Sequence, residues 1–354
     1  MPDPRRALPV AGALAALILT AAVAAVALRL GGYDAFRAAG ALAGGAVGSS
    51  DVFLSVTLVR AVPLILTGLA VALAFRAGVW NIGAEGQLYA GAVAAAWVGL
   101  AGAGLPAAVL APAVLLAAAC AGAAWAAVPA LMKLRLGVGE VITTLLMNFV
   151  GINLAAYVVH GPLQESRGVF PQTDPIAEAA RLPLLVAGTR LHVGFVLALG
   201  LAALLWVGLR FTRFGFAMRA VGASPGAARV AGRMDPSRVA LVSFLASGAI
   251  AGLAGGVQVA GVTFALYEGL SPGWGYTAIA VALLAGLDPA AVVLTGVLFG
   301  ALEGGGGALQ RAAGIPSAWV NAMVALVILS VLAVDQLRRR LELARPAPAE
   351  PSDG

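Results

Sequence analysis

The sequence predicts an all-α, polytopic membrane protein with about ten transmembrane helices. Three observations predict it. Of 354 residues, 61% are hydrophobic and 11% charged, with a mean hydropathy of +0.97; soluble globular chains carry about 25% charged residues. Apolar stretches near the ~20 residues that cross a bilayer recur along the chain. The basic residues that separate them gather on one side of the membrane when the stretches alternate in direction. This composition excludes a soluble enzyme, a disordered chain and a small secreted scaffold.

The spans are expected at 8–30, 52–75, 84–102, 107–132, 140–160, 191–210, 238–261, 275–287, 290–308 and 317–334. A cleaved signal peptide competes for the first, but its apolar stretch from Ala7 to Leu28 exceeds the usual core of about 7–15 residues. The eighth is short, and Gly273 and Gly275 before it predict a broken or re-entrant element whose backbone other helices must cover. Together the spans form one transmembrane domain over 8–337, followed by a disordered cytoplasmic tail at 338–354.

With the N-terminus in the cytoplasm, 15 of 22 Lys and Arg residues fall inside, including Arg5, Arg76, Lys133, Arg213, Arg219, Arg229, Arg238 and Arg338. Both termini are then cytoplasmic. The net charge of +6 reflects arginines flanking spans, so no nucleic-acid partner is expected. Residues 161–190, rich in proline, lie outside; residues 211–237, with four arginines, lie inside. Pro106-Ala-Ala-Val opens span four and Pro289-Ala-Ala-Val opens span nine, on opposite sides. Spans two to five and seven to ten would be inverted copies, with the solute route at their interface. Alanine-rich sequence also yields such matches by chance, and both readings stay open.

Chemistry is sparse. The lone Cys120 forms no intrachain disulfide, and the only lysine, Lys133, follows Met132, so there is no phosphate-binding Gly-Lys pair. If ATP drives this protein, another chain hydrolyses it. His160 and His192 have no carboxylate pair at ligand spacing, and no H-E-x-x-H or Gly-x-Ser-x-Gly occurs. No catalytic residue, metal or cofactor is expected.

Four stretches stand out. In the inner loop, Ser224-Pro225 is a helix start and Gly232 a stop, bounding a two-turn helix of small side chains. Such a helix serves as a docking element or as an ordinary capped loop. In Phe75 to Gly91, Asn81, Glu85 and Gln87 sit among glycines near the cytoplasmic face, where buried ionisable groups mark function or satisfy a structural turn. Thr144, Asn148 and Gly151 share one face of span five, with Asn153 to one side; they line a path or act as interhelical glue. Gln258 lies within span seven, ahead of Phe264, Tyr267, Trp274 and Tyr276, which stack on a planar ring or form an interfacial belt. Glu85, Glu140, Glu268 and Glu303 fall near span ends, against the buried carboxylate path that an ion-gradient-driven transporter needs.

The core Asn81-Ile-Gly-Ala-Glu-Gly-Gln87 resembles a signature of permease subunits of bacterial ABC importers, the ribose and branched-chain amino-acid permease family. The run Ala220 to Gly232 resembles the family's coupling loop, and Leu270 to Gly286 resembles its nucleoside-import branch. The resemblance covers residues 55–334. It implies a multi-pass chain in the bacterial plasma membrane, with no catalysis of its own, that moves a nucleoside or similar polar solute. A pentose or other small solute is the alternative. It also implies a second, related permease, two ATP-binding subunits and an extracytoplasmic substrate-binding lipoprotein. The ATPase-coupling residues then fall on Ser224, Pro225, Ala228, Arg229 and Gly232. Gly226 and Arg233 depart from the family pattern. Pathway residues are expected at Asn81, Glu85, Thr144, Asn148, Asn153 and Gln258.

Overall fold

A computed structural model describes residues 18–316 except 19, 20, 27 and 231–233, with scattered positions from 319 to 333. Most of spans 8–30 and 317–334, Gly232 and the tail at 338–354 lie outside the described residues. The described residues are helical, with two isolated bridges and no strand. Among the described residues, six helices are long and apolar enough to cross a membrane. The chain is a multi-pass membrane protein.

In chain order the helices are α1 (Ala35–Val47), α2 (Ser50–Arg76), α3 (Ala84–Ala101), α4 (Ala107–Leu136), α5 (Glu140–His160), α6 (Gly194–Phe211), α7 (Arg213–Ala223), α8 (Pro225–Val230), α9 (Pro236–Thr263), α10 (Trp274–Leu284) and α11 (Pro289–Ala313). Their ends follow local signals. Ser49 caps α2 through its hydroxyl, Gly137 stops α4 in a left-handed conformation at φ 66°, and Asp235 caps α9 ahead of Pro236. Pro63 sits inside α2, where the Thr67 hydroxyl donates to its carbonyl at 2.6 Å. α10 has only 11 residues, as the glycines before it predict.

Several boundaries differ from expectation. α1 lies in a stretch that the sequence reading left between spans, because it is short and made of Ala and Gly. α4 runs four residues past 132 and α11 continues to Ala313. Glu303 therefore lies well inside α11, not near its end. The short helix expected between Ser224 and Gly232 is described over Pro225–Val230, its expected stop lying outside the described residues, and α7 precedes it as a separate helix with Thr212 as its cap.

The chain forms two compact units. One comprises residues 1–43 and 305–354, where Leu28, Ala38, Leu309 and Ile315 pack with Tyr33, Leu42 and Trp319. The other, residues 44–304, holds the site.

Within the larger unit, packing is reciprocal. α2 packs on α10 and on α11, while α9 packs on α3 and α4. Small residues bring the backbones into contact, as membrane helix interfaces require. A Cβ on Gly252 of α9 would lie 2.3 Å from the Ala118 carbonyl of α4, and one on Gly300 of α11 would lie 2.8 Å from the Thr57 carbonyl of α2.

Candidate functional site

α3 and α10 begin against each other. A Cβ on Gly275 would lie 2.2 Å from the Glu85 backbone nitrogen, so only glycine fits there. The Gly275 N–H donates to Glu85 Oε2 at 2.6 Å. Four residues up α3, the Tyr89 hydroxyl accepts from the Ser271 N–H at 3.1 Å. α3 and the segment entering α10 thus run antiparallel. Two helix N-termini, each bearing partial positive charge, meet at one buried carboxylate.

The turn before α3 is held by polar side chains from three helices. Asn81 donates to Gln87 Oε1 at 3.0 Å and to Ser247 Oγ at 2.9 Å, and Ser247 donates to the Ala70 carbonyl at 2.7 Å. Thr144 Oγ1 accepts from the Ile82 N–H at 3.2 Å. Asn148 accepts from the Gly86 N–H at 2.8 Å and donates to the Ile82 carbonyl at 2.9 Å. All five side chains are buried. Gly151 packs on Gly86. Asn153 is exposed and donates to the Phe149 carbonyl of its own helix at 2.8 Å.

On the side carrying residues 161–190, a cavity of about 620 Å³ opens next to the α3–α10 contact. Gln258 lines it, as do Arg60, Gln172, Arg190, Tyr267 and Trp274. Asn81, Glu85, Thr144, Asn148 and Asn153 are not among its lining residues. The loop at 161–190 is fastened to the segment after α9: the Thr173 N–H donates to the Leu266 carbonyl and the Ile176 N–H to the Phe264 carbonyl, both at 2.8 Å. Gln172 donates to Glu165 at 2.6 Å. That bond and the Phe170 N–H hold the Glu165 carboxyl below the usual carboxylate range. His160 contacts Glu268 at 2.8 Å, a pairing between distant segments.

At the opposite end, Ser224 Oγ accepts from the Ala227 N–H at 3.3 Å and starts α8. Ala228 is buried, while Pro225 and Arg229 are exposed. α8 packs on α7, whose Gly222 lies against the end of α2: a Cβ there would sit 2.2 Å from the Arg76 carbonyl. Gly78, at φ 73°, faces Gly222 from the turn that leads to α3.

These features meet a family match. The model of the branched-chain amino acid transport system permease component covers residues 53–332. The chain belongs to that family. Among its relatives is a glucose ABC transporter permease of Haloferax volcanii, 39% identical over 99% of this chain and 97% of the relative. A guanosine ABC transporter permease of Bacillus subtilis is 38% identical over 90% and 91%. A nucleoside ABC transporter permease of Lactococcus lactis is 28% identical over 79% and 82%. No solved structure matches.

The structure of the permease gathers Asn81, Glu85, Thr144 and Asn148 around the start of α3, where Asn81, Thr144 and Asn148 hold one network and Glu85 bonds to α10. It keeps Asn153 and Gln258 apart from that network. Sequence reasoning did not single out Ser247, Tyr89 or Arg60, and weighed Glu303 only as a carboxylate near a span end. Arg60 carried a usable signal, an arginine inside an apolar span. Glu303 carried one too, once α11 is seen to continue beyond it.

Proposed function

We propose that this permease forms the translocation pathway of an ABC importer for a nucleoside or a similar small polar solute. The observation that carries the reading is the likeness to guanosine and nucleoside permeases over most of the chain, together with an exposed, capped α8 at the coupling-loop position. A sugar is the second reading, favoured by the glucose permease of Haloferax volcanii.

In this reading the partners are a second, related permease, two ATP-binding subunits and an extracytoplasmic substrate-binding lipoprotein. ATP is hydrolysed on the partner chains. The protein sits in a bacterial plasma membrane with both termini in the cytoplasm. The cavity then faces outward and α8 faces the ATPase. Ser224, Pro225, Ala228, Arg229 and Gly232 form the coupling element.

The α3–α10 contact is the gate. Movement of α8 passes through α7 and Gly222 to the turn at Gly78, and so to the start of α3. Spans two to five and seven to ten act as inverted halves, a reading that the reciprocal packing of α2 and α9 supports. Rocking of these halves exposes the cavity to each side in turn. Asn81, Glu85, Thr144 and Asn148 hold the gate, and Gln258 meets the solute.

The test is uptake by the assembled importer in proteoliposomes, with labelled guanosine, glucose and ribose. ATP-dependent guanosine uptake that survives collapse of the proton gradient is expected. Glucose or ribose uptake without guanosine uptake favours the second reading. Uptake that persists without ATP and stops with the proton gradient contradicts both.

A further inference from the structure

The cavity beside the α3–α10 contact has a one-sided chemistry. Arg60 and Arg190 bring donors only, Gln172 and Gln258 bring donors and acceptors, and Tyr267 and Trp274 bring aromatic surface. Among the described residues, no Asp or Glu lines it. Its volume, about 620 Å³, falls within the range of small-molecule sites. Such a lining suits a planar ligand with an acceptor-rich edge and rejects a cation.

Two of these groups share one partner. Trp274 Nε1–H donates to Glu303 Oε2 at 3.0 Å, and Arg60 Nη1 lies 4.0 Å from the same oxygen. Glu303 is 15% exposed at its side chain and Arg60 45%. At 4.0 Å the pair is an ion pair without a hydrogen bond, so Glu303 attracts the guanidinium while its donors stay free. Both charges lie within membrane spans, where ionisable groups are costly. Glu303 thus sets an indole and a guanidinium side by side at the cavity wall.

We propose that this cavity reads the purine of a nucleoside, an inference that rests on the nucleoside reading above. Arg60 donates two hydrogen bonds to the O6 and N7 acceptors of guanine or hypoxanthine, the pairing that guanidinium geometry matches. Trp274 packs against the ring. Glu303 is the positioning residue for both. Adenine presents an amino donor in place of O6 and leaves one Arg60 donor unpaired.

The assembled importer, with its own binding protein and ATPase, is assayed for uptake of guanosine, inosine and adenosine. The same binding protein serves every variant, so any change in selectivity belongs to the permease. The wild type is expected to favour guanosine and inosine over adenosine by about tenfold. Arg60→Gln brings that ratio close to one, and Arg60→Lys lowers it, because an ammonium does not form the fork. Glu303→Gln, which keeps an acceptor for Trp274 but drops the charge facing Arg60, also lowers it and decides the matter if Arg60 variants fail to assemble. A wild-type ratio near one, or an unchanged ratio in a transporting variant, overturns the inference. Absence of any nucleoside uptake by the wild type overturns the proposed function instead.

Discussion

Glu85 and Gly275 lie 190 positions apart and meet at 2.6 Å, carboxylate to backbone N–H, where the first turns of α3 and α10 touch. The Gly275 N–H, in the first turn of α10, would otherwise be unpaired in a buried place. The Glu85 side chain supplies the acceptor for it from the first turn of α3.

Truncation of that carboxylate strands a buried donor. Glu85→Ala is expected to cost about 1–3 kcal/mol. Glu85→Gln, which retains an acceptor oxygen, is expected to cost less. Thermal denaturation of the detergent-purified complex checks the order: the midpoint falls further for Ala than for Gln. Equal midpoints would remove the contact from the stability of the gate.

Asn148 serves α3 from the other side, with one bond to each of Gly86 and Ile82. Asn148→Leu has a similar volume and leaves both backbone groups without that partner. The loss is expected to be about 1–3 kcal/mol per group, and transport falls with it. Asn153→Leu, at an exposed position bonded only within its own helix, is expected to change neither stability nor uptake. A greater loss from Asn153→Leu would return that residue to the pathway.

The glycine contacts set a steric prediction. Gly252→Leu in α9 would push against the Ala118 carbonyl and the backbone of Gly122, and the permease is expected not to accumulate in the membrane. Gly200→Leu in α6 meets open space and is expected to be silent. Membrane levels of the tagged subunit, measured by immunoblot, distinguish the two. Normal levels of Gly252→Leu would mean that α4 and α9 do not pack as described.

α8 is short enough for its cap to matter. Ser224→Ala is expected to cost about 1 kcal/mol of local helix stability. Arg229→Glu reverses an exposed charge and is expected to lower solute-stimulated ATP hydrolysis several-fold while the subunit still reaches the membrane. Unchanged stimulation in the reconstituted complex would move the docking contact away from α8.

Much of this was legible in the sequence. The apolar lengths at 52–75, 84–102 and 140–160 match α2, α3 and α5 closely, because hydropathy is a local property that the bilayer imposes residue by residue. Ser224-Pro225 announced the start of α8 for the same local reason. The grouping of Asn81, Thr144 and Asn148 was visible only as polar residues in apolar surroundings, since their partners come from other helices. Trp274, Arg60 and Glu303 come from three different helices, and no periodicity links them. α1 was missed because Ala and Gly carry a weak apolar signal, although Thr212 could have announced α7 as a cap.

The central claim is that the α3–α10 contact separates the outer cavity from the cytoplasm and opens during transport. Ala84, fully buried beside Gly275, reports on it directly. With the single native Cys120 replaced by serine, Ala84→Cys is probed with a membrane-impermeant thiol reagent on the cytoplasmic side of a transport-competent complex. The account predicts protection at rest and labelling when ATP, binding protein and solute are supplied together. Labelling that is equal in both states while uptake proceeds would contradict it.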